Sequence, residues 1–80
     1  LFRLIYDPGC EPLHGQLPPD ASHALTVALE AACRDPIGHT APRGHADEWN
    51  RRLHIDGALA MIFVSYKQKT VAVVDIIDLS

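Results

Sequence analysis

Two apolar runs near the end of the chain constrain its fold most. Residues 59–64 (Leu-Ala-Met-Ile-Phe-Val) and 71–77 (Val-Ala-Val-Val-Asp-Ile-Ile) are almost continuously hydrophobic, and polar Lys67-Gln68-Lys69-Thr70 separates them. Short apolar runs bounded by turn signals read as central strands joined by a hairpin. Neither approaches the roughly 20 residues needed to span a bilayer as a helix. Just upstream, Trp49, Arg51, Leu53 and Ile55 alternate with Asn50, Arg52 and His54, and Asp56-Gly57 follows as a favoured hairpin turn. The last third is therefore expected to be a three-stranded meander.

The opening residues 1–6 (Leu-Phe-Arg-Leu-Ile-Tyr) are rich in β-formers, with Phe2, Leu4 and Tyr6 on one face, and Asp7-Pro8-Gly9 supplies a turn. Leu13 and Leu17 have helical spacing, but Pro12 and Gly15 restrict any helix over residues 10–17 to about one turn. Pro18-Pro19-Asp20 opens a longer helix: proline is accepted in a first turn, and the Asp20 carboxylate suits the positive end of the helix dipole. Ala21, Leu25, Ala28, Leu29 and Ala32 then recur on one face, against Ser22, His23, Thr26, Glu30 and Arg34 on the other, until Asp35-Pro36 stops the pattern. The Ala-rich face lets the helix lie close to a sheet. Residues 36–48 hold two Pro and two Gly without useful periodicity, a loop long enough to be suspected of function. The expected fold is a single α+β domain over residues 1–80, in the order β-α-β-β-β. One helix, with a short helical turn before it, packs on one face of a four-stranded, mainly antiparallel sheet.

A chain of 80 residues buries only about two thirds of its unfolded surface, so one thin two-layer core is expected and any active site lies on an open face. The formal net charge of −3 argues against binding nucleic acid by bulk positive charge. Charge is uneven, however. Carboxylates outnumber Arg over residues 1–48, whereas Arg51, Arg52, Lys67 and Lys69 face only Asp56 over residues 49–69. Cys10 and Cys33 read as reduced thiols of a cytoplasmic protein, Cys33 as a small buried filler and Cys10 as a surface or turn thiol.

Arg51, Arg52 and His54 are the leading functional side chains, because Arg grips phosphate bidentately and His moves protons near neutral pH. Their plain alternative is the solvated face of an edge strand. Glu48 with His54 makes a weaker acid–base pair. Cys33, His39, His45 and His54 are all allowed zinc ligands, but their spacing fits no compact zinc site, so no metal or cofactor is expected. Trp49 has the aromatic surface to stack on a base, while its parity with Leu53 and Ile55 directs it to the core or a partner groove. Lys67 and Lys69 at a hairpin tip read as solvated.

The order and spacing of Tyr6-Asp7-Pro8, Leu17-Pro18, Asp35-Pro36, Arg43-Gly44 and Arg52-Leu53-His54-Ile55 before a hairpin resemble the RelE/ParE toxin superfamily over nearly the whole chain. That resemblance implies a toxin-type protein of a bacterial toxin–antitoxin module, held by an antitoxin and acting on ribosome-bound mRNA or on DNA gyrase. It implies Arg52, His54 and Arg43 as catalytic groups of a ribosome-dependent endoribonuclease, with Arg51, Lys67 and Lys69 touching RNA. Two departures point to weak or lost cleavage. Ala58-Leu59 stands where the family often has Tyr-Arg, and residues 75–80 (Asp-Ile-Ile-Asp-Leu-Ser) stand where catalytic His, Arg or Tyr is typical. The alternative is a non-catalytic module of the same fold that binds an antitoxin-like peptide or forms a homodimer.

Overall fold

The structure, a computed structural model, describes residues 1–44 and 47–80. Five strands and two helices follow in the order β1 (Arg3–Tyr6), α1 (Cys10–Gln16), α2 (Pro19–Arg34), β2 (Ala41–Pro42), β3 (Asn50–Ile55), β4 (Ala58–Ser65) and β5 (Thr70–Asp78). The sheet order is β1-β5-β4-β3-β2. β1 runs parallel to β5, with Leu4 beside Val71 and Tyr6 beside Val73, and the other pairings are antiparallel. The two helices carry the chain across one face, and the meander β3-β4-β5 brings the last strand back beside the first.

The core lies between the helices and that face. Leu25 and Leu29 of α2 are fully buried, as are Ile62 of β4 and Val71 and Val73 of β5. Inward positions of β4 alternate as Ala58, Ala60, Ile62 and Val64, so small residues occupy the end nearest the β3–β4 turn. The helix comes close there. A Cβ on Gly57 would stand 3.3 Å from the Ala21 Cβ, and Gly57 has φ +97°, a conformation glycine adopts without steric cost.

Two expectations about elements are corrected. The sheet has five strands rather than four, because Ala41 and Pro42, inside the segment read as loop, pair with Arg52 and Arg51. Pro can end such an edge strand because its missing N–H costs no ladder bond on the open side. α1 spans seven residues rather than about one turn. Pro12 is tolerated because it falls at the third helical position, where an N–H has no intrahelical acceptor. Cys33 is buried as expected, but Cys10, read as a surface or turn thiol, is buried as well. Burial, with the charges of Asp7 and Asp75, pushes the Cys10 thiol up, and burial does the same to Cys33 against the opposing effect of Arg34.

His14, absent from the expected core, joins the helices to β1. Its Nε2–H donates to the Ser22 carbonyl at 2.9 Å, also lying 3.1 Å from Thr26 Oγ1, and its Nδ1 accepts from the Tyr6 hydroxyl at 2.8 Å. The Ser22 hydroxyl returns a bond to the His14 carbonyl. A carbonyl only accepts, so Nε2 carries the proton of that bond, and of the two single-proton tautomers it is the Nε2–H form that lets Nδ1 accept from the Tyr6 hydroxyl. His14→Ala, which leaves the Tyr6 hydroxyl and the Ser22 carbonyl short of a partner, is expected to cost about 1–3 kcal/mol in urea unfolding. Tyr6→Phe, which removes only the donor to Nδ1, should cost less.

Candidate active site

β3 sorts its side chains by parity. Arg51 and Leu53 are buried toward the helices, whereas Arg52 and His54 are exposed on the opposite face. Directly across on β4, Met61 pairs with Arg52 and Leu59 with His54. Where the resemblance calls for an Arg after the turn, the half-buried Leu59 therefore stands against His54, and Ala58 before it is fully buried.

The edge of β3 is only partly covered, since β2 reaches no further along it than Arg52. Beyond that point a cleft of about 440 Å³ opens between three walls. Ala28 and Ala31 of α2 form one, residues 38–41 the second, and residues 52–55 of β3 the third. It stays open because α2 presents only methyl groups there. Residues 38–41 and 52–55, far apart in sequence, thus border one cleft, while the side chains of Arg52 and His54 extend to the other face of the sheet.

Around it the polar contacts are specific. Arg52 Nε donates to the Pro42 carbonyl at 3.1 Å, a bond that leaves both terminal guanidinium nitrogens to other acceptors. Arg43 lies further along the same edge, where its Nη2 donates to Asn50 Oδ1 at 2.9 Å. Asn50 is itself held by Asp47, whose carboxylate accepts from the Asn50 side-chain amide at 3.1 Å and from the Trp49 backbone N–H at 3.1 Å. Arg43 and Arg52 are thus anchored along one strand edge, and His54 follows Arg52 toward the turn.

Arg51 does not belong to this surface. It is only 6% exposed, and its guanidinium donates to Thr40 Oγ1 at 2.9 Å, the Thr40 carbonyl at 3.0 Å and the Asp47 carbonyl at 2.9 Å. The Thr40 hydroxyl in turn donates to the Pro36 carbonyl. Arg51 therefore ties the segment after α2 onto β3, a structural task that its parity with Leu53 already signalled. Lys67 and Lys69 are also separated from the cleft. They lie at the β4–β5 turn, the opposite end of β4 from His54, with the Lys69 ammonium 5.0 Å from the centre of the Phe2 ring. Glu48 precedes β3 while His54 is next to its last residue, so the two sit at opposite ends of a strand and form no acid–base pair. Trp49, expected in the core or a partner groove, is 49% exposed. The four-residue zinc set includes His45, which lies outside the described residues. Among the described residues no three His, Cys, Asp or Glu side chains gather in one place.

The same architecture occurs in two solved structures. One is a chain of the RelBE2 toxin–antitoxin complex from Mycobacterium tuberculosis, with a TM-score of 0.79 and 13% sequence identity over 96% of each chain. The other is the isolated E. coli RelE toxin, with a TM-score of 0.83 and 17% identity over 100% of this chain and 86% of that one. The fold is that of RelE toxins. No family model matches the sequence, and no curated protein matches it. At such identities the RelE fold is shared while the side chains on it are this chain's own.

His39, weighed in the sequence only as a metal ligand, borders the cleft as well. The sign of its position was the long segment returning from α2 toward a strand edge. Replacing Arg51 with Met, which keeps some bulk and removes every donor, is expected to destabilise the fold by about 1–3 kcal/mol and to loosen the cleft wall. Hydrogen exchange at residues 38–43 should rise more than in α2.

Proposed function

We propose that this chain is a toxin-type protein of a bacterial toxin–antitoxin module, with weak or lost cleavage of ribosome-bound mRNA. The observation that supports it best is the outward pair Arg52 and His54 on β3, with Arg43 on the same strand edge. Arg52 is suited to hold a phosphodiester through its free terminal nitrogens, His54 to carry a proton, and Arg43 to assist with charge. Leu59 across from His54 removes the cation that would stabilise charge developing on phosphorus, which supports a low rate rather than an efficient nuclease. The antitoxin partner, the ribosomal target and a cytoplasmic site of action rest on the likeness to the RelE toxin and the RelBE2 complex.

A second reading, a non-catalytic module that binds an antitoxin-like peptide or a second copy, is favoured by the sheet face opposite the helices. Ile5, Phe63 and Ile77 are exposed there beside the partly exposed Leu59 and Met61, an apolar strip of the kind a partner covers. Induced expression of the chain alone in a bacterial host separates the two. Growth arrest with mRNA loss, abolished by Arg52→Ala with His54→Ala, is the expected outcome for the first. Arrest with altered DNA supercoiling transfers the target to gyrase. Normal growth at good soluble expression establishes the binding module instead, and the molecular mass in solution then shows whether it pairs with itself.

A further inference from the structure

Resting on the reading of a module that pairs with itself, we propose that the sheet face opposite the helices holds a second copy of this chain, with Arg52 of each copy set on Asp75 of the other. The outward residues of β4, Leu59, Met61 and Phe63, form an apolar ridge down the middle of that face. Each is flanked by one residue of β3 and one of β5: Phe63 by Asn50 and Ala72, Met61 by Arg52 and Asp75, and Leu59 by His54 and Ile77. Arg52 and Asp75 therefore share one row, a cation on one side of the ridge and a carboxylate on the other, about 10 Å apart at two strand spacings.

A β-bulge puts the carboxylate there. Between Met61 and Ile62 the register with β5 shifts, so that Ile62 pairs with Val73 and Met61 with Asp75, and Val74 is the extra residue. Without it Asp75 would pair with the buried Ala60 and turn into the core, because a slip of one residue moves a side chain to the other face of a sheet. Both charged groups keep capacity for a partner. Arg52 is held through Nε by the Pro42 carbonyl, which leaves its terminal nitrogens, and Asp75 Oδ1 accepts the Ile76 N–H at 2.9 Å, which leaves Oδ2. Both residues are exposed, as are Phe63 and Ile77 beside them.

Charge complementarity selects the occupant and its orientation. Two copies of one chain pair about a two-fold axis that sets the same patch against itself. Two such axes lie in the plane of this face through Met61. The axis along β4 exchanges the β3 side for the β5 side, so Arg52 meets the partner's Asp75 and Asp75 meets the partner's Arg52, while Leu59, Met61 and Phe63 stack on their counterparts. The axis across the strands would set arginine on arginine and carboxylate on carboxylate, and like charges exclude it. Aligned sheets cross at about 30°, which displaces groups one strand from the axis by only about 2–3 Å, within the reach of an arginine. The same contact covers Arg52 and His54, so a second copy and a phosphodiester compete for one face.

The test is sedimentation equilibrium of the wild-type chain, of Arg52→Glu, of Asp75→Arg, of an equimolar mixture of these two, and of the chain carrying both, each checked for folding by circular dichroism. The wild type is expected to reach a dimer as its concentration is raised. Each single reversal brings like charges together at both ends of the row and is expected to raise the dissociation constant by at least about 100-fold. The dimer should return in the mixture and in the doubly reversed chain, because each again sets two opposite charges together. The doubly reversed chain would stay monomeric had the copies been related by the axis across the strands. If the wild type dimerises and the single reversals leave its dissociation constant unchanged, or the doubly reversed chain stays monomeric, this arrangement is overturned while self-pairing stands. A wild type that remains monomeric at millimolar concentration overturns both.

Discussion

The packing of Leu25 and Leu29 of α2 on the central strands β4 and β5 is the interaction on which the rest depends. Among the described residues, these leucines and the inward Ile62, Val64, Val71 and Val73 are the largest fully buried side chains. Interiors pack as densely as organic crystals, so the place of α2 over the sheet is set by these side chains and by the small residues around them. Ala58 and Ala60 beneath the helix, with Ala21 and Gly57 facing each other at its start, bring it down at one end. His14 then closes the arrangement by holding α1, α2 and β1 through a set of polar contacts in which each donor meets an acceptor.

The cleft follows from the same economy of side chains. α2 turns Leu25 and Leu29 to the central strands and leaves Ala28 and Ala31 toward the edge, where nothing large fills the space above β3. β2, only two residues long, covers the start of that edge and stops. Arg51 keeps the gap from collapsing or fraying by fastening Thr40 and Asp47 with three hydrogen bonds from a nearly buried guanidinium. One arginine of an adjacent pair is thus structural and the other, Arg52, is presented outward. The pleat of the strand separates their tasks, because neighbouring side chains point to opposite faces.

The electrostatics of the site are sparse. Arg52 and Arg43 are anchored on the β3 edge by a backbone carbonyl and a side-chain amide respectively, and the apolar Leu59 lies across from His54. The opposite sheet face is divided between this polar edge and an apolar strip through Phe63 and Ile77. The fold shared with the RelE toxin and a chain of the RelBE2 complex at 17% and 13% identity rests on the inward pattern that holds the sheet and helices together, which leaves the outward residues unspecified.

Much of this was legible in the residues themselves. The continuous apolar runs made β4 and β5 central, the period of α2 named Ala21, Leu25, Leu29 and Ala32 as its buried face, and Asp56-Gly57 marked the turn that places His54 near a strand end. These are local or periodic properties, encoded within a few residues of where they act. The two-residue strand β2, the burial of Cys10 and His14, the exposure of Trp49 and the cleft that residues 38–41 and 52–55 border together were decided only by the tertiary structure. Each depends on what a distant segment brings alongside, and neither spacing nor propensity records which neighbour will arrive.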